Sequence, residues 1–225
     1  MLGVLFLFAG HSLAASGAPR GRPLPWIAIA ALTTVPFFFF QTFRIPGESM
    51  EGTLLPGDSI LAQTFPRPVP ERGKLALFVS PSDPDLVLIK RVIAVPGDRI
   101  HIAGKTVILN GTALDEKYVL HDVDQHYGEN FPTDSADPGC AEGYEMLLRQ
   151  TVNGEVVVPS GQYFVLGDRR EDSLDSRCWG FVRLDKFIGR PLVIYDSVDQ
   201  TSEPASGQYQ EWEGRRRWAR MFKIL

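Results

Sequence analysis

The sequence predicts an all-β domain of antiparallel sheets, attached to an N-terminal transmembrane helix. Two observations favour β structure: the chain contains 21 glycines and 17 prolines, and the apolar runs after residue 58 are short and separated by such turn residues. Short apolar runs bounded by turn signals are typical of antiparallel strands. The third observation, an uncharged apolar stretch at 24–43, predicts the helix.

The stretch at 24–43 is long enough to cross a bilayer, because a spanning helix needs about 20 mostly apolar residues. Arg20 and Arg22 precede it, so the positive-inside rule places its N-terminal side in the cytoplasm and exports the rest. A buried core helix is the alternative. Residues 1–23 are interpreted as a tail: an incomplete apolar membrane segment, a disordered start and a wrongly assigned start all stay open.

The exported part, 44–225, is predicted to be one β domain. Asn110-Gly111 follows one of its apolar runs and is a strong signal for a tight hairpin. Strands are expected where Val, Ile, Leu and Phe form short runs, at 59–63, 75–79, 86–95, 100–102, 106–109, 145–152, 155–158, 163–166 and 187–195.

A polar excursion interrupts these runs at about 121–143. Its residues His121, Asp122, Asp124 and His126 match neither the spacing of a calcium loop nor that of a zinc pair. We therefore interpret the excursion as a solvated loop, and the sequence predicts no metal and no cofactor.

Composition excludes some classes of function. The net charge of −4 gives no electrostatic basis for nucleic-acid binding, and the basic cluster at 215–217 is too short to change this. The contents of 44% hydrophobic and 22% charged residues are typical of a folded globular chain. Cys140 and Cys178 could form a disulfide or remain unpaired thiols, because their spacing cannot establish the required geometry.

Ser49 lies just after the predicted membrane helix, in a segment containing Pro46 and Gly47. A serine becomes a nucleophile only with a nearby base and an oxyanion site. Glycine and proline favour a tight backbone that presents Oγ and directs N–H groups towards a substrate. A structural serine in a turn is the alternative, and for the residue taken alone it is the more frequent case.

Lys90 is the candidate base, because no histidine stands out for this role. It lies within the apolar run 86–95, whose pattern predicts substantial burial. Burial in apolar surroundings disfavours the ammonium form and lowers the pKa of a lysine. The resulting neutral amine could accept the proton of a serine. A lysine that snorkels from an edge strand is the alternative, and spacing alone favours it.

Ser49 and Lys90 are parts of a longer ordered pattern. The stretches are Ile45-Pro46-x-x-Ser49-Met50-x-x-Thr53-Leu54, Gly57-Asp58, Arg72-Gly73 with Leu77-Phe78, Ile89-Lys90-Arg91-Val92 with Val95-Pro96-Gly97-Asp98, Tyr163 to Asp168 with Arg170, Ser173, Asp175-Ser176-Arg177 and Trp179-Gly180-Phe181-Val182, and finally Arg217-Trp218-x-Arg220. From about residue 43 to the C-terminus, apart from the excursion, the chain resembles the bacterial type I signal peptidases of peptidase family S26.

The resemblance implies a role for each matching residue. Ser49 is expected to attack the scissile carbonyl, with its backbone N–H donating to the oxyanion, and Lys90 is expected to act as general base. Ser173 is expected to orient the Lys90 amine. The remaining implied residues are the supporting Asp175, Arg177, Arg91 and Asp168, and the substrate-binding Ile45, Pro46, Gly47, Met50, Leu54, Leu88 and Ile89.

The implied activity is that of a membrane-bound serine endopeptidase which removes signal peptides from exported preproteins. Its expected partners are those signal peptides and the lipid bilayer, with no nucleic acid. The expected protein is a monomer that crosses the bacterial plasma membrane once and keeps its catalytic domain on the outer face. Two alternatives stay open: a specialised relative that processes a pilus or conjugation subunit, and an inactive relative that binds peptides. Natural substrates do not follow from the sequence.

Four positions depart from the family pattern. Gly47 stands where many relatives have a serine that helps to bind the oxyanion, a loss worth ~10²–10³ in turnover if nothing replaces it. Gly52 replaces a usual proline and is expected to loosen its loop. Arg169 and Asp172 replace asparagines, and this more charged loop is expected to alter the surroundings of the catalytic pair.

Overall fold

A computed structural model describes residues 38–120, 130–132, 140–199 and 215–225 of the chain. The predicted tail, most of the predicted membrane helix and most of the polar excursion lie outside these residues. The described elements are the strands β1 Phe40–Arg44, β2 Asp58–Gln63, β3 Leu75–Val79, β4 Val87–Ala94, β5 Arg99–Ala103, β6 Thr106–Leu109, β7 Thr112–Ala113, β8 Thr151–Val152, β9 Glu155–Val157, β10 Gln162–Leu166, β11 Val182–Arg183 and β12 Phe187–Ser197, and the helices α1 Ala141–Arg149 and α2 Ser176–Trp179.

The described strands form two antiparallel sheets, which confirms the predicted β architecture. The larger sheet has seven strands in the order β1-β2-β12-β3-β4-β10-β11, and the smaller has five in the order β7-β6-β5-β9-β8. Strand β4 lies inside the larger sheet, between β3 and β10, with Lys90 opposite Ala76 and Arg91 opposite Leu166. Because β4 is paired on both sides, Lys90 does not lie on an edge strand, and its side chain is buried.

Strand β1 occupies residues that were predicted as the end of the membrane helix. It begins at Phe40 and pairs antiparallel with β2, from Phe40 opposite Gln63 to Arg44 opposite Ser59. Among the described residues, no helix is both long and apolar enough to cross a membrane. The helical assignment is therefore wrong for 40–43, whereas the earlier part of the predicted span stays a prediction.

The predicted strand at 145–152 is wrong over most of its length. Residues Ala141–Arg149 form helix α1, and only Thr151–Val152 is a strand. Glu, Met, Leu and Arg, which fill this segment, are among the better helix formers. Gly143 brings the helix close to α2, since a Cβ there would lie 2.1 Å from the carbonyl oxygen of Cys178. The apolar content had suggested a strand, but periodicity does not separate short apolar helices from strands.

Three hydrophobic clusters hold the sheets together and fix the position of β4. One packs the smaller sheet against the larger, with Ile93 and Phe164 contributed by the larger sheet and Ile100 and Val156 by the smaller. A second contains Val92 of β4 together with Phe78 of β3 and Phe187 of β12. Because successive side chains of a strand point to opposite faces, β4 contributes to clusters on both sides. The third cluster lies beneath the turn that contains Ser49.

A disulfide joins Cys140 and Cys178, which resolves the alternative left open by their spacing. Cys140 immediately precedes helix α1 and Cys178 lies within α2. The bond therefore fastens the end of the excursion to the segment that follows Ser173.

The C-terminal arginines fasten the strand that follows the Ser49 turn. Arg220 donates to both carboxylate oxygens of Asp58, at 3.1 and 2.6 Å, and Arg217 donates to Ser197 at 2.9 Å. Burial alone would raise the pKa of Asp58, but the hydrogen bonds from Arg220, Leu55 and Ser197 hold it below its usual value. The C-terminal motif is thus a structural clamp on β2.

Candidate active site

Lys90, Ser49 and Ser173 meet on one side of β4. The Nζ of Lys90 donates to the Oγ of Ser49 at 2.7 Å and to the Oγ of Ser173 at 3.0 Å. Lys90 and Ser173 are buried, at 3% and 7% exposure, whereas Ser49 is half-buried. A hydroxyl within hydrogen-bonding distance of an amine that solvent barely reaches is the geometry of a nucleophile with its base.

Burial lowers the pKa of the Lys90 amine. Desolvation lowers the pKa of Lys90 from 10.5 to about 8, against the carboxylates of Asp175, Asp168 and Asp172, which raise it, while Arg177 lowers it further. The two hydrogen-bond partners of Nζ, the hydroxyls of Ser49 and Ser173, carry no charge that would compensate a buried ammonium group. The amine is therefore neutral in a useful fraction of molecules near neutral pH.

Backbone hydrogen bonds define the turn that carries Ser49. On its two sides, Ile45 donates to the carbonyl of Asp58 at 2.9 Å and Leu54 donates to that of Met50 at 2.8 Å. The carbonyl of Ser49 itself accepts from the N–H of Arg169 at 3.2 Å. Through these bonds β2 and the segment after β10 fix the position of the Ser49 Oγ.

Asp175 and Arg177 form a buried ion pair behind Ser173. Arg177 donates from Nε and Nη2 to Asp175, both at 2.9 Å, and the backbone N–H of Gly167 donates to the same carboxylate at 3.1 Å. Asp175 is fully buried; burial would raise its pKa, but the charge and hydrogen bond of Arg177 hold it below its usual value. The pair fixes both ends of the loop that contains Ser173.

A second charged group ties β4 to the turn. Arg91 donates to Asp168 at 2.8 and 2.6 Å and to the Oγ1 of Thr53 at 2.9 Å, while Thr53 donates to Asp168 at 2.5 Å. The guanidinium lies 3.8 Å from the ring centre of Tyr118. The bridging role of Thr53 and the contact of Tyr118 were not predicted. Of these two residues, only Thr53 belongs to the motif of the Ser49 segment.

The chain is similar to known proteins over most of its length. The family model of signal peptidase, peptidase S26, matches residues 23–195. Signal peptidase I of Aquifex aeolicus is 31% identical over 209 residues, which cover 76% of this chain and 82% of that protein. The probable signal peptidase I-2 of Synechocystis sp. is 35% identical over 192 residues, covering 78% and 76%.

The chain belongs to the signal peptidase family, peptidase S26. This confirms the resemblance and makes the protein a serine endopeptidase. Signal peptidase I of Bacillus caldolyticus is 31% identical, covering 76% of this chain and 88% of that protein. A crystal structure of a signal peptidase I from Enterococcus faecalis is 29% identical and covers 54% of this chain and 95% of that one, but its TM-score of 0.40 supports no argument about the fold.

The residues that the family resemblance assigned to substrate binding divide into two groups. Pro46 and Gly47, which precede Ser49 in the chain, are exposed, and Leu88 and Ile89, which precede Lys90 in β4, are half-buried. The other three, Ile45, Met50 and Leu54, are 4%, 1% and 0% exposed and belong to the cluster beneath the turn. They pack against Ile60 of β2 and Ile194 of β12, and their expected role in substrate binding stays a prediction.

Gly52 adopts a backbone conformation that the usual proline of the family could not take. Its φ is +101°, and a Cβ would lie 2.5 Å from the carbonyl oxygen of Tyr118. Proline is restricted to φ near −65° and could not take this conformation. Gly52 thus permits a close backbone contact, and the expectation that it loosens the loop stays a prediction.

Gly167 is a site residue to which the family motif had given no role. A Cβ there would lie 2.2 Å from the Oγ of Ser173 and 2.5 Å from the carbonyl oxygen of Ser49. We expect Gly167→Ala to reduce kcat about 100-fold or more, since displacing a reacting group by about 1 Å has such an effect. Ser160→Ala, at an exposed turn outside the proposed site, is the control. Peptidase assays of both folded variants would contradict this expectation if the two rates were equal.

Away from Ser49 and Lys90, the described residues form a cavity but no metal-binding cluster. Within them, no group of three or more His, Cys, Asp or Glu side chains is arranged to hold a metal ion. A cavity of about 700 Å³ does occur at the start of β10 and β12, and residues such as Arg67, Arg183 and Phe187 line it. None of the predicted site residues lines this cavity, so it does not mark the peptidase centre.

Proposed function

We propose that this protein removes signal peptides from exported preproteins, with Ser49 as nucleophile and Lys90 as general base. The observation that carries the proposal is the 2.7 Å contact between the buried Lys90 amine and the Ser49 hydroxyl. The names of the relatives support the class of substrate.

The proposed reaction begins with the neutral Lys90 amine accepting the Ser49 proton while Oγ attacks the scissile carbonyl carbon. The negative charge develops on the carbonyl oxygen, where the backbone N–H of Ser49 can donate. The Lys90 ammonium then protonates the departing amine, leaving an acyl-enzyme. A water, deprotonated by Lys90, then attacks the ester carbon; the bond to Oγ breaks, the Lys90 ammonium returns the proton to Oγ, and the second product leaves as a carboxylic acid. Ser173 accepts a hydrogen bond from Nζ throughout and keeps it directed at Ser49.

The proposed substrate segment lies along Pro46, Gly47, Leu88 and Ile89. These residues are at least partly accessible and lie shortly before Ser49 or Lys90 in the chain, and they are proposed to accept the small residues before the cleaved bond. The open space around the Cα of Gly47 leaves room for this segment or for water to approach the oxyanion side. The missing serine hydroxyl at this position makes the Ser49 N–H the principal expected donor.

The proposed location is the outer face of the bacterial plasma membrane. An apolar anchor within 24–39 would hold Ser49 close to the bilayer, because strand β1, which leads to the site, begins at Phe40 and already belongs to the catalytic domain. A tether to the surface on which the substrate is also held raises the effective concentration of the two. Residues 1–23 are proposed as a preceding tail.

Cleavage of a purified preprotein in detergent tests the proposed function. Wild-type protein is expected to cut once after a small residue, and Ser49→Ala to form no product, because the attacking oxygen is gone. Ser160→Ala, at an exposed turn, is the matched control and should retain wild-type activity. Product masses identify the bond. Equal cleavage by wild type and Ser49→Ala, or none by wild type, would contradict the proposal; the latter would favour a peptide-binding relative.

A further inference from the structure

Arg169 connects the two segments that carry the proposed catalytic residues. Its Nη1 lies 2.5 Å from a carboxylate oxygen of Glu48, 3.0 Å from one of Glu51 and 3.4 Å from one of Asp172. Its backbone N–H also donates to the carbonyl of Ser49 at 3.2 Å. A single side chain therefore contacts carboxylates on both sides of the proposed nucleophile.

The partners of Arg169 are placed where movement would reach the reacting atoms. Glu48 immediately precedes Ser49, and the N–H of Glu51 donates to the carbonyl of Glu48 at 2.8 Å, which closes the turn. Asp172 immediately precedes Ser173, which accepts from Lys90. The guanidinium thus joins the turn carrying the nucleophile to the loop carrying the residue that orients the base.

Neighbouring arginines are engaged with other carboxylates. Arg170 pairs with Glu116 at 2.6 Å, Arg91 with Asp168 at 2.6 Å and Arg177 with Asp175 at 2.9 Å. Without the side chain of Arg169, three like charges, Glu48, Glu51 and Asp172, would be left around the Ser49 turn and the Ser173 loop. Their mutual repulsion favours a wider separation of the turn and the loop.

We propose that Arg169 is a positioning residue of this peptidase, one that holds the Ser49 turn against the Ser173 loop and neutralises the carboxylates on either side of Ser49. The inference rests on the proposed roles of Ser49 and Lys90. Arginine suits the task because its planar guanidinium presents several donors in a fixed arrangement, whereas the ammonium group of lysine is a compact point charge.

A change in pH dependence would accompany the loss of Arg169. The charged groups that face Lys90 are Asp175, Arg177, Asp168 and Asp172, and Asp172 acts to raise the pKa of the amine. Removing the guanidinium leaves Asp172 without this partner, which favours the protonated amine. The acidic limb of activity therefore moves to higher pH in Arg169→Ala.

The test compares kcat, KM and the pH profile of cleavage for Arg169→Ala, Arg169→Lys and the double variant Arg169→Ala/Glu51→Gln. We expect Arg169→Ala to lower kcat about 10- to 100-fold with a smaller change in KM, as expected for displaced reacting groups. Arg169→Lys should recover part of the loss. Neutralising Glu51 should also recover part, because the repulsion is then reduced. Arg183→Ala, whose side chain is 70% exposed in a pair with Asp185, is the matched control.

Each outcome has a separate meaning. A wild-type kcat and pH limb in Arg169→Ala would overturn the positioning role, and so would a loss that appears only in KM or that Glu51→Gln leaves unchanged. Melting temperatures identify variants that fail to fold. If Arg169→Ala or the double variant does not fold, the kcat and pH profile of the single variants Arg169→Lys and Glu51→Gln test the positioning role instead. If wild type cleaves and Ser49→Ala does not, such a failure concerns Arg169 only. If Ser49→Ala cleaves as wild type does, the proposed function fails and this inference fails with it.

Discussion

Lys90→Met is expected to lower kcat by about 10³-fold or more while leaving the protein at least as stable at pH 7. General-base catalysis contributes ~10²–10⁴, and residues that act as a unit lose nearly the whole effect together. Lys90 is 3% exposed, so its ammonium is poorly solvated, and methionine fills a similar volume without a charge. Lys117→Met is the control, because that side chain is 87% exposed. A variant Lys90→Met that kept half of the wild-type kcat would contradict the assignment.

The pH profile supplies an independent measure of Lys90. With a pKa of about 8 in the folded protein, the amine is mainly protonated below pH 8, and kcat should rise about tenfold per pH unit up to that point and then level off. In the unfolded chain the pKa is near 10.5, so between about 8 and 10.5 the unfolded state binds more protons. The contribution of Lys90 to stability therefore rises with pH across this window.

Urea unfolding at pH 7 and at pH 10 measures the second effect. Wild type should gain stability from Lys90 over this interval, and Lys90→Met should lack that gain, with the other titrating groups common to both proteins. A difference between the two proteins that is independent of pH would contradict the lowered pKa of Lys90.

Asp175→Ala is expected to lower the free energy of unfolding by about 3–5 kcal/mol, the usual cost of removing one partner of a buried ion pair. The side chain of Arg177 is 3% exposed and would remain buried without its carboxylate, and the N–H of Gly167 would lose its acceptor. Asp185→Ala removes a 58% exposed partner of Arg183 and should cost less than about 1 kcal/mol.

Urea unfolding under non-reducing conditions compares the two aspartate variants while the Cys140–Cys178 disulfide stays intact. The pKa of Asp175 is lowered in the folded protein, so its stabilisation is present above the unfolded pKa and is lost as the pH falls through the folded value. Equal unfolding free energies for Asp175→Ala and Asp185→Ala would show that the buried pair does not support the site.

The strands were largely predictable, and the exceptions share a cause. Eight of the nine predicted runs agree with observed strands to within about two residues, because alternation and turn residues are local features. Helix α1 and strand β1 were not predicted correctly. The first forms where Gly143 packs against α2, and the second forms because β2 offers a partner edge. Both decisions depend on residues distant in the sequence.

The sequence by itself determined the β class, the order of the motifs, the family and the two candidate reacting residues. It could not decide whether Lys90 is buried or snorkels, since that depends on β4 lying between β3 and β10. Nor could it pair Cys140 with Cys178, or bring Arg169 to Glu48 and Glu51. Residue patterns report local periodicity, whereas these contacts join segments 38, 121 and 118 residues apart. Only strand pairing and loop packing set such distances, and the tertiary structure therefore decided them.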